Sequence, residues 1–216
     1  MGKRITRSQE YARHAYRRAL AKAVRASSKG TEWRSVDGCL FRKHDGWFIS
    51  VCPAVYIFDE VTKIQTFVKP MSIDPIFWDL VGLNENNAQP LSFRLNGAWT
   101  CRPPAFAEIE VAEDVDANVV AKRMLHIANA QLDAVREHFS AEAFLAICQA
   151  GNSERGAYLP CVVTTLITLG RQGDALTACE QASIKSHGGG FLMPEGSFTQ
   201  VSERWLKSWM AGRHWE

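Results

Sequence analysis

Between Thr6 and Ser27 the apolar residues Tyr16, Leu20 and Val24 recur at every fourth position among Ala, Arg and Lys. That spacing puts them on one face, so the segment is predicted as an amphipathic helix. Thr6 and Gln9 have the spacing of a capping box at its start, and Ser27-Ser28-Lys29-Gly30 ends it. Arg18, Lys22 and Arg25 fall on the face away from the apolar stripe. From Cys39 the texture changes to Val, Ile, Phe, Tyr and Trp, and strands are predicted near 39–43, 47–56, 61–69, 91–100 and 105–112. His44-Asp45-Gly46, set between Cys39-Leu40-Phe41 and Trp47-Phe48-Ile49, is an Asp-Gly hairpin signal. Asp74-Pro75 opens a short helix to Leu83, with Pro expected at its first position.

A long helix is predicted to about Phe139, capped by Asp114 or Asp116. Val120, Met124, Ile127, Ala128, Leu132, Val135 and Phe139 share one broad face, which is expected to cover the sheet. Shorter helices follow near 141–150, 157–170, 173–186 and 198–211, separated by Gly-containing breaks. The stretch Leu166 to Leu176 looks like the turn of a tetratricopeptide-type helix pair. It occurs once, so a single helical hairpin is expected rather than a solenoid. The whole order predicts an α+β fold: an N-terminal helix, an antiparallel meander-like sheet covered by a long helix, and a helical C-terminal third. The expected organisation is a basic helix and arm over 1–34, sheet plus covering helix over 35–139, and helices over 140–216 packed on the same body.

Composition adds a core and a charge asymmetry. At 216 residues, 46% hydrophobic, the chain can bury a sizeable core. Residues 1–34 hold ten Lys or Arg against Glu10 and Glu32, leaving fifteen basic and twenty-one acidic residues in the rest. A basic arm therefore precedes an acidic body. The apolar runs fall short of a membrane span and the N-terminus lacks the pattern of a secretory signal, so a cytoplasmic protein is expected. Cys39, Cys52, Cys101, Cys148, Cys161 and Cys179 form no Cys-x-x-Cys pair and have no His at ligand spacing. Six free thiols, no metal site and no cofactor are expected.

Motifs for chemistry are sparse. His187-Gly188-Gly189-Gly190-Phe191 resembles an esterase oxyanion loop, but a helix precedes it and no Gly-x-Ser-x-Gly elbow exists in the chain. A flexible glycine loop is the expectation. Phosphate-loop, dinucleotide and zinc-helix patterns are missing, so no catalytic residue is assigned. The alternative is an enzyme with dispersed residues such as Asp74, Asp79, Glu110 and His126. Acidic residues crowd where the last predicted strand meets the long helix: Glu108, Glu110, Glu113, Asp114 and Asp116. Glu108 and Glu110 alternate with Ala107, Ile109 and Val111, so both point to one face. This cluster is either a solvated face with carboxylates favoured by the helix dipole or a patch for a basic partner. The basic first helix offers a further alternative, neutralisation of nucleic-acid phosphates, although it carries no recognised reader motif.

The stretch from Phe41-Arg42-Lys43-His44-Asp45-Gly46-Trp47-Phe48 to Lys69-Pro70-Met71-Ser72-Ile73-Asp74-Pro75-Ile76-Phe77-Trp78-Asp79 resembles small bacterial domains of unknown function. Some of these serve as immunity proteins of contact-dependent or polymorphic toxin systems. The resemblance implies a cytoplasmic protein-binding module that neutralises a cognate toxin domain by stoichiometric binding. Many such toxins are basic nucleases, and an acidic body suits steered association with one.

Overall fold

The computed structural model describes residues 6–55, 61–95, 99–112, 115–151 and 156–212. Contacts divide the chain into two compact units, one built from 1–68 and 105–138, the other from 69–104 and 139–216. The fold is α+β.

The first unit opens with α1 (Arg7–Ser27), whose N-cap Thr6 and Gln9 form the expected capping box. Leu20, Ala23 and Val24 are buried, while Arg18, Lys22 and Arg25 are exposed. A five-stranded antiparallel sheet follows, ordered as in the chain: β1 (Arg34–Val36), β2 (Cys39–His44), β3 (Trp47–Val55), β4 (Val61–Pro70) and β5 (Ala107–Ala112). Asp45 and Gly46 both hold positive φ, 43° and 81°, as a two-residue type I′ hairpin requires, and they set His44 opposite Trp47. Counting back along both strands from that pair brings Leu40 opposite Val51 and Cys39 opposite Cys52. Those two cysteines are joined in a disulfide, which corrects the expectation of six free thiols. Adjacent antiparallel strands bring directly opposed side chains within bonding reach, and here both are Cys.

Burial alternates along β4, with Thr62, Ile64, Thr66 and Val68 inside, matched on β5 by Val111, Ile109 and Ala107. The long helix α3 (Ala117–His138) packs on β2, β3 and α1, burying Val120, Met124, Ile127, Ala128, Leu132 and Val135. The Trp33 indole N–H donates to Asn129 Oδ1 at 2.8 Å, and the Tyr16 hydroxyl donates to the Val115 carbonyl at 3.3 Å. These bonds tie the residue before β1 to the covering helix and α1 to the chain just ahead of that helix.

The second unit begins with α2 (Ile73–Leu80), shorter than the expected span to Leu83 and with Pro75 third in the helix rather than first. Gly82, with φ 68°, turns the chain out of it while Leu83 N–H closes back on the Trp78 carbonyl. The strand expected over 91–100 is instead a 3₁₀ helix at Leu91–Leu95. Its alternating pattern resembles a strand, but Pro90 starts a tight turn in which Phe93 N–H donates to the Pro90 carbonyl at 2.8 Å. Then come α4 (Ala141–Gly151), α5 (Leu159–Thr168), α6 (Gln172–Ile184), a short β6 (Leu192–Met193) and β7 (Gly196–Ser197) hairpin, and α7 (Phe198–Met210). α4, α5 and α6 each pack on the helix that follows, so the single expected hairpin is part of a longer run of paired helices. Leu159 to Ile167 of α5 are all buried, which makes it the central helix. Gly170, at φ 72°, ends it in a Schellman turn: Gly170 and Arg171 donate to the Ile167 and Leu166 carbonyls. Among the described residues no helix is long and apolar enough to cross a membrane.

Candidate functional site

The acidic cluster reads differently at each of its members. The ladder sets Lys63 opposite Glu110 and Gln65 opposite Glu108 on the outward face of β4 and β5. Lys63 Nζ lies 2.6 Å from Glu108 Oε1 and 3.4 Å from Glu110 Oε1, and Gln65 donates to Glu108 Oε2 at 2.7 Å. The hydrogen bond from Lys63 holds the Glu108 carboxyl below its ordinary range, and the same bond raises the lysine. Asp116 spends Oδ1 on the backbone N–H of Asn118, at 2.8 Å in the first turn of α3, and that bond lowers its pKa. Glu113 and Asp114 lie outside the described residues. Glu108 and Glu110 therefore form a ladder of side chains on β5, which among the described strands is paired on one edge only.

The dispersed catalytic candidates Asp74, Asp79 and His126 have different surroundings. Asp74 is fully buried, with Lys69 Nζ at 2.9 and 2.8 Å from its two carboxylate oxygens, Arg94 Nη1 at 2.6 Å from Oδ2 and the Cys101 N–H at 3.0 Å from Oδ1. Lys69 also donates to the Cys101 carbonyl at 2.9 Å, and the Arg94 guanidinium stands 5.2 Å over the Trp78 ring. This knot ties Lys69, α2, Arg94 and Cys101 to one another, and it leaves Asp74 no face toward a substrate. Asp79 is exposed and accepts from Asn84, and His126 is exposed on α3.

A site absent from the sequence reading lies in the second unit. A cleft of about 480 Å³ is lined by Phe77, Trp99, Arg102, Pro160, Gly189 and Phe191, with Val81, Ala157, Gly190, Leu192 and Met193 completing it. Its volume is in the range of ligand and anchor-residue pockets. Phe77 and Phe191 meet at 4.9 Å between ring centres, and Phe198 backs them at 5.9 Å from Phe77. Trp99 is held at the rim because its carbonyl accepts the Trp78 indole N–H at 2.6 Å, and it keeps 47% of its surface exposed. Leu192, at the start of the small hairpin, is 88% exposed. The glycine string expected to be a flexible loop forms one wall: Gly189, at φ 73°, is buried, and a Cβ there would stand 2.8 Å from Phe198 Cδ1. The Gly triplet is visible in the sequence as a break, whereas Trp99 falls at the end of the stretch expected as a strand and Arg102 just past it.

The remaining thiols are interior. Cys101, Cys148, Cys161 and Cys179 are free and buried, and Cys101 Sγ is 3.7 Å from Thr164 Oγ1. Burial pushes the Cys101 and Cys161 thiols well up and takes Cys179 to about 12. Among the described residues no group of His, Cys, Asp and Glu has the arrangement to hold a metal ion. Compared with models of known protein families, with curated proteins and with solved structures, the chain matches none.

Proposed function

We propose that the protein works by stoichiometric, non-covalent binding of a protein partner, in the way an immunity protein occupies its toxin domain. The observation that carries this reading is the make-up of the cleft in the second unit. Trp, Phe, Met and Arg are the residue types enriched where proteins meet, and here they surround a concavity whose rim residues Trp99 and Leu192 are exposed. The described lining residues bring no carboxylate, imidazole, thiol or hydroxyl, the groups that acid–base or nucleophilic catalysis uses. An apolar side chain of the partner fills the cleft and sets how long the complex lasts. The outward carboxylates Glu108 and Glu110 act earlier, drawing a basic partner during encounter.

The two roles separate kinetically. Stopped-flow binding is measured against the product of the neighbouring gene at two salt concentrations. Trp99→Ala together with Leu192→Ala raises the dissociation rate by about 10-fold or more, since buried aromatic anchors dominate interface energies. Glu108→Lys with Glu110→Lys slows association and flattens its salt dependence, leaving dissociation nearly unchanged. Unchanged kinetics in both variants, or turnover of a small molecule by the purified protein, overturns the reading.

A further inference from the structure

Helix α1 has an outer surface that the protein-contact reading does not use. Arg7, Tyr11, Arg18, Lys22, Arg25 and Lys29 follow one another at steps of three, four or seven along and just past the helix, and all six are exposed. Steps of three and four keep successive residues on one side of an α-helix, so the six make a single straight stripe about 33 Å long at 1.5 Å per residue. His14 falls on the same line, with its Nε2 4.0 Å from Glu10, the one carboxylate of the helix. Among the described residues none of the five Arg and Lys side chains has an ion-pair partner, in contrast to Lys63, Lys69 and Arg94. Arg18, Lys22, Arg25 and Lys29 are concentrated in about 17 Å of axis, a run of like charges that a neighbouring anion would relieve.

We infer that this stripe binds the phosphate backbone of single-stranded nucleic acid without regard to sequence. A straight row of cations matches a linear polyanion, whose phosphates also recur every few ångströms. Tyr11, 62% exposed beside the guanidinium of Arg7 at 5.8 Å, supplies a flat ring at the far end of the row on which an unpaired base stacks. A membrane surface fits less well: the apolar side of α1, Leu20, Ala23 and Val24, is already buried in the protein and has nothing to insert. An acidic protein offers neither regular charge spacing nor a use for Tyr11. This inference is independent of the protein-contact proposal, which rests on other residues.

The test is fluorescence anisotropy of the full chain with labelled 20-mers of U and of dT, the matching duplex, polyglutamate and anionic lipid vesicles. Five phosphate contacts to a single strand predict a slope of log affinity on log salt near −3.5, so binding weakens about 100-fold between 50 and 200 mM salt. Arg18→Gln, Lys22→Gln and Arg25→Gln each shallow the slope by about 0.7, and together leave less than about 10-fold salt sensitivity. These exposed changes to a good helix former leave the thermal transition in place, and the single variants carry the test if the triple one does not fold. Tyr11→Ala weakens single-strand binding by about 5-fold or more, leaves the salt slope alone and spares the duplex. The inference is overturned by no binding at about 100 μM protein in 50 mM salt, by a triple variant that binds like the parent, or by equal affinity for polyglutamate or vesicles. Whether U or dT binds more tightly only identifies which nucleic acid the stripe prefers, and both results support it.

Discussion

Cys39 and Cys52 stand opposite each other on β2 and β3, and a disulfide joins them across a sequence separation of 13. The bond closes the hairpin at the end away from its Asp45-Gly46 turn. Closing a loop of this length removes unfolded-state entropy worth about 3 kcal/mol at most, and somewhat less where the hairpin persists in the unfolded chain. Reduction, or Cys39→Ser with Cys52→Ser, is expected to lower stability by about 2–3 kcal/mol in urea unfolding. Mass spectrometry of unfolded, unreduced protein should find four alkylated thiols, and six after reduction. Before unfolding, the buried thiols whose pKa is raised, Cys101, Cys161 and Cys179, should resist alkylation at pH 8.

That pair was within reach of the sequence. The Asp-Gly signal sets the turn, the turn sets His44 against Trp47, and the register then leads to Cys39 against Cys52. Expected compartment and the lack of motifs point to free thiols, whereas strand register brings the two together. Local signals did well elsewhere: the Thr6 and Gln9 capping box, the strand-forming texture of 61–69 and the broad apolar face of α3 all became the elements they indicate. Leu91 to Leu95 misled because five alternating residues fit a strand by pattern, and only the turn begun at Pro90 decides otherwise. Of the acidic cluster, the placement of Glu108 and Glu110 on one face was legible, but their tie to Lys63 depends on how β4 pairs with β5. The cleft was hidden for a similar reason, since Phe77, Trp99 and Phe191 come together only when separate segments fold.

Asp74 is expected to be a structural carboxylate. Asp74→Asn keeps the shape but leaves Lys69, almost fully buried, and the mostly buried Arg94 without their counter-charge. Removing one partner of such a group costs about 3–5 kcal/mol, because the remaining charge is stranded away from water. Asp79→Asn, on the exposed side of the same helix, is the control and should stay within about 0.5 kcal/mol. Urea unfolding of the two variants beside the parent measures the difference; equal stabilities would mean the knot contributes nothing.

The Lys63 and Glu108 pair makes a pH prediction with a definite sign. Glu108 titrates below the ordinary carboxylate value, so its contribution is present above that value and is lost as pH falls through the lowered one. Lys63 titrates above the ordinary lysine value, so its contribution is present below that value and is lost as pH rises through the raised one. Glu108 is exposed and Lys63 only partly buried, so the effect on folding is small and is best read at the residue itself. An NMR titration of the Glu108 carboxyl carbon should show its midpoint move up toward the ordinary value in Lys63→Met, and move up in the parent as salt is added.

The glycine wall of the cleft separates backbone strain from packing. Gly189 and Gly190 hold nearly the same positive φ, 73° and 77°, so alanine at either position carries the left-handed cost of about 1–2 kcal/mol. Only at Gly189 does the new methyl meet anything: it would lie 2.8 Å from Phe198 Cδ1 and 3.1 Å from its Cβ, with nothing within 4 Å at Gly190. Phe198 is itself fully buried against Phe77 and Phe191 and has little room to retreat. Overpacking of that kind adds about 1–3 kcal/mol. Gly189→Ala should therefore be the less stable variant in urea unfolding by about that margin, and it should also disturb the aromatic floor of the cleft, seen as a change in near-ultraviolet circular dichroism that Gly190→Ala does not produce. Equal losses in the two variants would show that Phe198 moves aside freely and that the wall is held by backbone conformation alone.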